Sequence, residues 1–223
     1  SDPNGYGDIV QASTSTVFYR SGVGSSCTSD SNNCYRPSCI FSGCSGNSCN
    51  LSCTAPMYYF ADPTDIGTYS AESWFAQTVI YDTTAASGSA ISLATELDTL
   101  YAVSISTSSL NYGSLDVGQN TGATNKSSTI RNTGNASLNP QVSGTDMTGP
   151  GTIVVSQQKY SSASFNYSSG GVTLSTTAVY IGFNLPKPTS TSPVQGASYW
   201  GLGLPSFLPT GIYSGTTDFI AAP

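Results

Sequence analysis

Histidine is missing altogether from this chain of 223 residues. That removes Ser-His and Cys-His nucleophile pairs, which need an imidazole as base. It also removes the mixed Cys/His zinc sites. Glutamate is nearly missing too, at Glu72 and Glu96 alone beside ten aspartates, which leaves few carboxylates for the paired acid and base of glycoside hydrolysis. Charged residues make up 8% of the chain, against roughly 25% in an average soluble domain. Six Lys and Arg against twelve Asp and Glu leave a net charge of −6. A chain so poor in cations has no means of neutralising a phosphate backbone, which argues against nucleic acid as a partner. Anionic lipid surfaces are disfavoured for the same reason. No apolar run reaches the 18 or so residues of a membrane span. No charged segment followed by an apolar one opens the chain, and the start Ser-Asp-Pro-Asn-Gly is compatible with a processed secreted protein. No glycine-rich phosphate loop opens a helix. No cofactor is implied.

What is present is concentrated. All six cysteines lie between Cys27 and Cys53, at Cys27, Cys34, Cys39, Cys44, Cys49 and Cys53. None forms a C-x-x-C pair, the short step on which zinc and iron–sulfur sites rely. The residues between them are Ser, Asn, Gly and Asp, which build turns. The reading is three structural disulfides in a polar loop, with a metal cluster as the less favoured alternative. Six cysteines allow 15 connectivities, and spacing does not select one. Disulfides imply an oxidising, extracellular compartment.

Strand signals run through the remainder. "TSTVFYR" (14–20), "MYYFA" (57–61), "SWFAQTVIY" (73–81), "LYAVSIST" (100–107) and "STIRN" (128–132) are rich in β-branched and aromatic residues. So are "TIVV" (152–155), "AVYIGFNL" (178–185), "ASYWGLGL" (197–204) and "GIYSGTTDFI" (211–220). In "SWFAQTVIY", Trp74, Ala76, Thr78 and Ile80 share one side of an alternating strand. The one helix-like window, "ISLATELDTL" (91–100), is short. "RNTGNASLNPQVSGTD" (131–146) reads as a hairpin turning at Thr133-Gly134-Asn135. "DIGTYSA" (65–71) and "TGIYSG" (210–215) resemble tyrosine corners, in which a Tyr hydroxyl ties a crossing loop to the backbone. The expected fold is all-β: an immunoglobulin-like β-sandwich in two domains, with a disulfide-rich insertion. The first domain spans 1–85, with the cysteine-rich loop 27–53 and a donor strand 8–20. A small-residue linker covers 86–98 and the second domain 99–223.

One ordered series of motifs goes further: "FADPTDIGTYSAESWFAQTVIYD", "ELDTLYAVSIS", "YGSLDVGQNTGATN", "IRNTGNASLNPQVSGTDM" and "YWGLGLP…PTGIYSGTTDF". Over roughly residues 57–220 it resembles uncharacterised secreted immunoglobulin-like surface proteins of uncultivated prokaryotes. The resemblance implies a sandwich fold and a surface location, and it brings no catalytic residues.

Candidate chemistry is sparse, and the chain is not expected to be an enzyme. Asp62 and Asp65 are close in sequence, and Asp-Pro and Asp-Ile-Gly read first as loop-capping turns, then as a calcium site. Trp74 and Trp200, with Tyr58 and Tyr59, read first as core and second as a sugar-stacking platform. Asn50, Asn125, Asn135 and Asn166 begin N-x-S sequons, of which Asn125 and Asn135 are the favoured glycosylation sites. The extended N-terminal segment places Val10, Ala12, Thr14, Thr16 and Phe18 on one side. Such a strand completes its own sheet or the open edge of a neighbour. Repeated head to tail, the second mode builds a filament. The expected function is a structural subunit of an extracellular, pilus-like filament whose partner is itself. A cell-surface adhesin or carbohydrate-binding module, with an exposed row of Trp200, Tyr199 and Tyr213 facing surface glycans, is the alternative. A surface-layer component is the further one.

Overall fold

The structure is a computed structural model that describes residues 13–45, 48–81 and 87–223; the side chains at 13, 44, 45, 48 and 49 are outside that description. Val10 and Ala12 therefore lie outside the described residues, as do the Cys44 and Cys49 side chains. The protein is all-β, with sixteen strands in five sheets among the described residues. It divides into two compact units, Ser1–Thr99 with Thr189–Thr191, and Leu100–Pro188 with Ser192–Pro223.

In the first unit the strands are β1 (Ser13–Arg20), β2 (Cys34–Tyr35), β3 (Ser38–Ser45), β4 (Ser48–Thr54), β5 (Trp74–Tyr81) and β6 (Ser87–Ile91). The main sheet has the order β2-β1-β5-β6. β1 pairs antiparallel with β5 over its full length, from Ser13 opposite Tyr81 to Arg20 opposite Trp74. Alternation buries Val17 and Tyr19 beside Cys34 in one cluster. Trp74, Tyr35 and Ala61 form a second. β3 and β4 make a separate antiparallel hairpin in which Cys39 faces Cys53.

Three expectations change here. The cysteine-rich segment is not all loop: directly opposed residues at β-sheet spacing let Cys39 and Cys53 bond across the strands, 4.1 Å apart at Cα. The segment read as a linker contains β6, which pairs with β5 from Gln77↔Ile91 to Tyr81↔Ser87. Ser, Gly and Ala present little side chain to obstruct edge pairing, so a composition that reads as flexible also suits a strand. "MYYFA" is a turn, closed by Ala61 N–H to the Tyr58 carbonyl, 3.0 Å, and its rings pack on each other and on Tyr35 of β2. Tyr58 lies parallel to Phe60 at 5.1 Å between ring centroids, and Tyr59 meets Phe60 edge-on.

In the second unit the strands are β7 (Val103–Ile105), β8 (Lys126–Asn132), β9 (Gln141–Gly144), β10 (Met147–Thr148), β11 (Thr152–Ile153), β12 (Gln158–Ser161), β13 (Val172–Thr173), β14 (Val179–Tyr180), β15 (Gln195–Leu202) and β16 (Thr217–Ile220). Five form the sheet β13-β12-β15-β8-β7 and three the sheet β14-β9-β16. One core joins the two: Ile130, Tyr160 and Trp200 from the larger sheet meet Val142 from the smaller. The Trp200 and Phe219 rings meet edge-on at 5.8 Å.

The segment 131–146 is therefore not a hairpin. β8 pairs with β7 and β15, while β9 pairs with β14 and β16, so the turn at Gly134 carries the chain from one sheet to the other. Buried Asn132 holds this crossover. Its Oδ1 accepts from Gly134 N–H at 2.9 Å, and its Nδ2 donates to the carbonyls of Ala136, Leu185 and Pro186. Thr133 and Asn135 N–H bond the carbonyls of Ala102 and Leu100.

Candidate assembly surface

The residues named from sequence fall into three groups. The first is structural and enclosed. Trp74 and Trp200 are both buried, and each indole N–H has a partner: the Asp62 carbonyl and the Ser198 hydroxyl, both at 2.9 Å. An enclosed Trp200 cannot join Tyr199 and Tyr213 in an exposed row, so the platform built on it is overturned. The Tyr213 hydroxyl instead donates to the Pro209 carbonyl at 2.6 Å, four residues upstream, the bond that defines a tyrosine corner. Tyr69, at the other expected corner, serves as the ring beneath the Arg20 guanidinium, 3.6 Å away. Arg20 is itself buried between two carboxylates. Its Nε lies 3.3 Å from Asp62, a Coulomb contact, and its Nη1 bonds Glu72, which also accepts from Gly22 N–H at 2.7 Å. Asp62 is thus one partner of a buried ion cluster. Asp65 is half-buried and separate, accepting from the Thr99 hydroxyl at 2.7 Å, which holds its carboxyl below the usual aspartate range. Among the described residues no group of three or more Cys, Asp or Glu is gathered for a metal ion.

The second group is the cysteines. Cys27 bonds Cys34, seven residues on, and Cys39 bonds Cys53. Cys34 is fully buried, so the first bridge anchors the loop after β1 to the core. The hairpin alternates: Cys39, Phe41, Leu51 and Cys53 are half-buried, while Ser38, Ile40, Asn50 and Ser52 face water. The Thr16 hydroxyl touches both Cys39 Sγ (3.2 Å) and Cys53 Sγ (3.5 Å), and also Thr78 (3.1 Å). Thr16, named for a donor strand, is therefore a packing point inside its own sheet. Thr14 and Phe18 are half-buried on the same strand.

The sequons separate by exposure. Asn135 is buried, its Oδ1 accepting from Leu100 N–H at 2.6 Å. A glycan on its Nδ2 would break the crossover, so Asn135 is withdrawn as a glycosylation site. Asn125 is half-buried, its Oδ1 holding Phe165 N–H at 2.8 Å and its Nδ2 enclosed without a partner. Asn50 and Asn166 are exposed.

Sheet edges and a cleft, not singled out in sequence, complete the picture. β6 ends the first unit's main sheet, and all five of its residues are exposed. None is charged, and Ile91 is 58% exposed. β16 ends the three-stranded sheet of the second unit. Thr145 N–H bonds the Thr216 carbonyl and Asn139 N–H the Ala222 carbonyl. That phase directs Asp218 and Ile220 toward β9, and the backbone of Thr217 and Phe219 away from it. Beside β16 lies a cleft of about 1000 Å³, lined by Leu110, Tyr112, Ser128, Ile153, Leu202 and Phe219 among others. The hydroxyls of Tyr112 and Ser128 are buried there without a hydrogen-bond partner. Burial raises the Tyr112 phenol well above its ordinary pKa. The loop after β15 lines part of the cleft and carries Phe207 and Ile212, 97% and 90% exposed. An edge needs tertiary pairing to be recognised, so only the absence of Lys in the final strands hinted at it.

The features together define an all-β, disulfide-linked protein with unprotected sheet edges. No family model, no curated protein and no solved structure matches the chain. Among the described residues no helix is long and apolar enough to cross a membrane.

Proposed function

We propose that the protein is the structural subunit of an extracellular filament, built by β contacts between copies that include the N-terminal strand. Its second unit is read as an immunoglobulin-like sandwich. One observation carries the reading: β6 is a five-residue edge strand, wholly exposed, with no Lys, no Pro and no charge. Soluble monomers blunt such edges with charge, proline or a covering element, because an open row of N–H and C=O groups templates pairing with another chain. β16 is a second edge strand, with Asp218 and Ile220 exposed, Thr217 and Phe219 half-buried, and Asp218 as its one charge. The two disulfides support an oxidising location. A low charge density favours broad uncharged contact between copies.

Within one chain, Ser13–Arg20 already pairs with β5. Exchange therefore swaps that strand whole or uses the residues before it. Electron microscopy of non-reduced protein tests the reading: fibres of regular repeat are expected, and isolated compact particles at high concentration would sink it. A sheet-like lattice would move the protein to the surface-layer reading. Fibres unchanged after deletion of residues 1–13 would remove the strand-exchange part alone.

A further inference from the structure

We propose that the cleft beside β16 is the acceptor for an extended segment of a second copy, residues 8–12, added as a new edge strand to the sheet β14-β9-β16. The inference rests on the assembly reading and names its acceptor. Two features of the cleft ask for a peptide backbone. The N–H and C=O of Thr217 and Phe219 point away from β9, and no strand pairs with that side of β16 among the described residues. An inserted main chain supplies both the donors and the acceptors that this open row lacks. The volume, about 1000 Å³, stands at the upper limit for small-ligand pockets and suits a chain segment with side chains. The wall is apolar or uncharged apart from Asp218, and the rim carries exposed Ile212.

The occupant follows from the chain outside the described residues. Residues 1–12 precede β1, whose full-length pairing with β5 anchors Ser13 in the first unit. Their last five residues, Asp-Ile-Val-Gln-Ala, hold one charge and alternate Ile9 and Gln11 against Val10 and Ala12. That pattern suits an added strand with one face on a core. Donation to the next copy is heterologous, so it propagates as an open chain and fills the clefts of every copy but the last.

The test uses full-length, disulfide-intact protein carrying a photoreactive benzoyl-phenylalanine in place of Ile9. Isotopically heavy and light chains are mixed, irradiated and mapped by mass spectrometry. Heavy–light cross-links into 107–117 or 217–220 are expected. Cross-links to the cleft within one isotopic copy only would overturn the proposal, since the segment then fills its own chain's cleft. Cross-links confined to other surfaces, or none, would overturn it too. Micrographs separate the two readings: fibres without heavy–light cleft cross-links reject the acceptor and keep the filament. Thr217→Pro removes an outward N–H while leaving the β9 bonds of Asp218 and Ile220. It should cut the heavy–light yield about tenfold, equivalent to one lost hydrogen bond. Val10→Asp alters only the proposed donor and should cut it likewise. Unchanged yield in both, with unchanged circular dichroism, would overturn the proposal.

Discussion

Asn132 shows how much one polar side chain can settle. It is fully buried, yet one oxygen and one nitrogen satisfy four backbone groups from two segments. Asn132→Ala leaves several of those groups unpaired in the core. Because each buried unsatisfied group costs about 1–3 kcal/mol, a loss of about 3–5 kcal/mol is expected. Thermal denaturation checks it; a shift of less than a degree or two would show that water replaces the side chain. Two residues on, a Cβ at Gly134 would lie 2.0 Å from the Leu100 carbonyl oxygen. No rotamer relieves a backbone clash, so Gly134→Ala should be as damaging as the loss of Asn132. The Tyr213 corner is smaller in scale. Tyr213→Phe removes its bond to the Pro209 carbonyl at a half-exposed site, and about 1 kcal/mol is expected from the same kind of melt. Sequence showed "RNTGN" as a turn of some kind. It did not show that Asn132 looks inward, because two of its partners, the Leu185 and Pro186 carbonyls, are more than fifty residues away.

At the scale of elements, the disulfide hairpin and the edge strands decide behaviour. Cys39 and Cys53 close a loop of 14 residues in sequence. In the chain-entropy account, such a cross-link stabilises by about 3 kcal/mol. The Cys39→Ser, Cys53→Ser double variant should lose a sum of that order, measured by denaturant titration under oxidising conditions. An unchanged midpoint would mean that packing on Thr16 alone holds the hairpin. The β6 edge gives the opposite kind of prediction, altering assembly and not folding. Ile91→Lys places a charge at an exposed edge position paired with Gln77. It should leave the melting temperature within a degree or two and lower polymerisation several-fold, as seen by light scattering. Fibre formation at the parental rate would remove β6 from the interface. Neither element was visible from composition. A cysteine-rich, Ser- and Asn-rich stretch reads as loop, and a Ser-Gly-Ala stretch reads as linker, because propensity does not register which strand lies alongside.

Across the whole molecule, the chain's few titratable groups concentrate its pH response at the extremes. With no histidine, nothing in the described structure with a resolved shift changes charge between about pH 5 and 8. Burial raises the phenols of Tyr112, Tyr160 and Tyr167. For a raised phenol the unfolded state loses its proton first, so stability is whole below pH 10 and falls as pH rises above that value. Asp65 has the opposite sign. Its lowered value means a contribution present above the ordinary aspartate range and lost below about pH 4. A flat melting temperature from pH 5 to 9 and a fall above pH 10 are expected, with phenolate absorbance showing a late-titrating group of tyrosines. A transition near pH 6 to 7 would contradict this account.

Several properties were determined by the sequence itself. Strand-rich composition with frequent turns made the protein all-β, since β-branched and aromatic residues at period two have few other ways to bury one face. Six clustered cysteines without C-x-x-C steps pointed to disulfides, two of which the structure pairs. Trp74 and Trp200 were legible as core from their places in alternating strands. What the tertiary structure alone decided is pairing: which strand lies beside which, that 131–146 crosses between sheets, that Asn135 is enclosed, and that β6 and β16 are left as edges. Local pattern specifies which side of a strand is apolar. Only contacts between residues distant in sequence fix its neighbours, and an unpaired edge exists only once the rest of the sheet has been assembled.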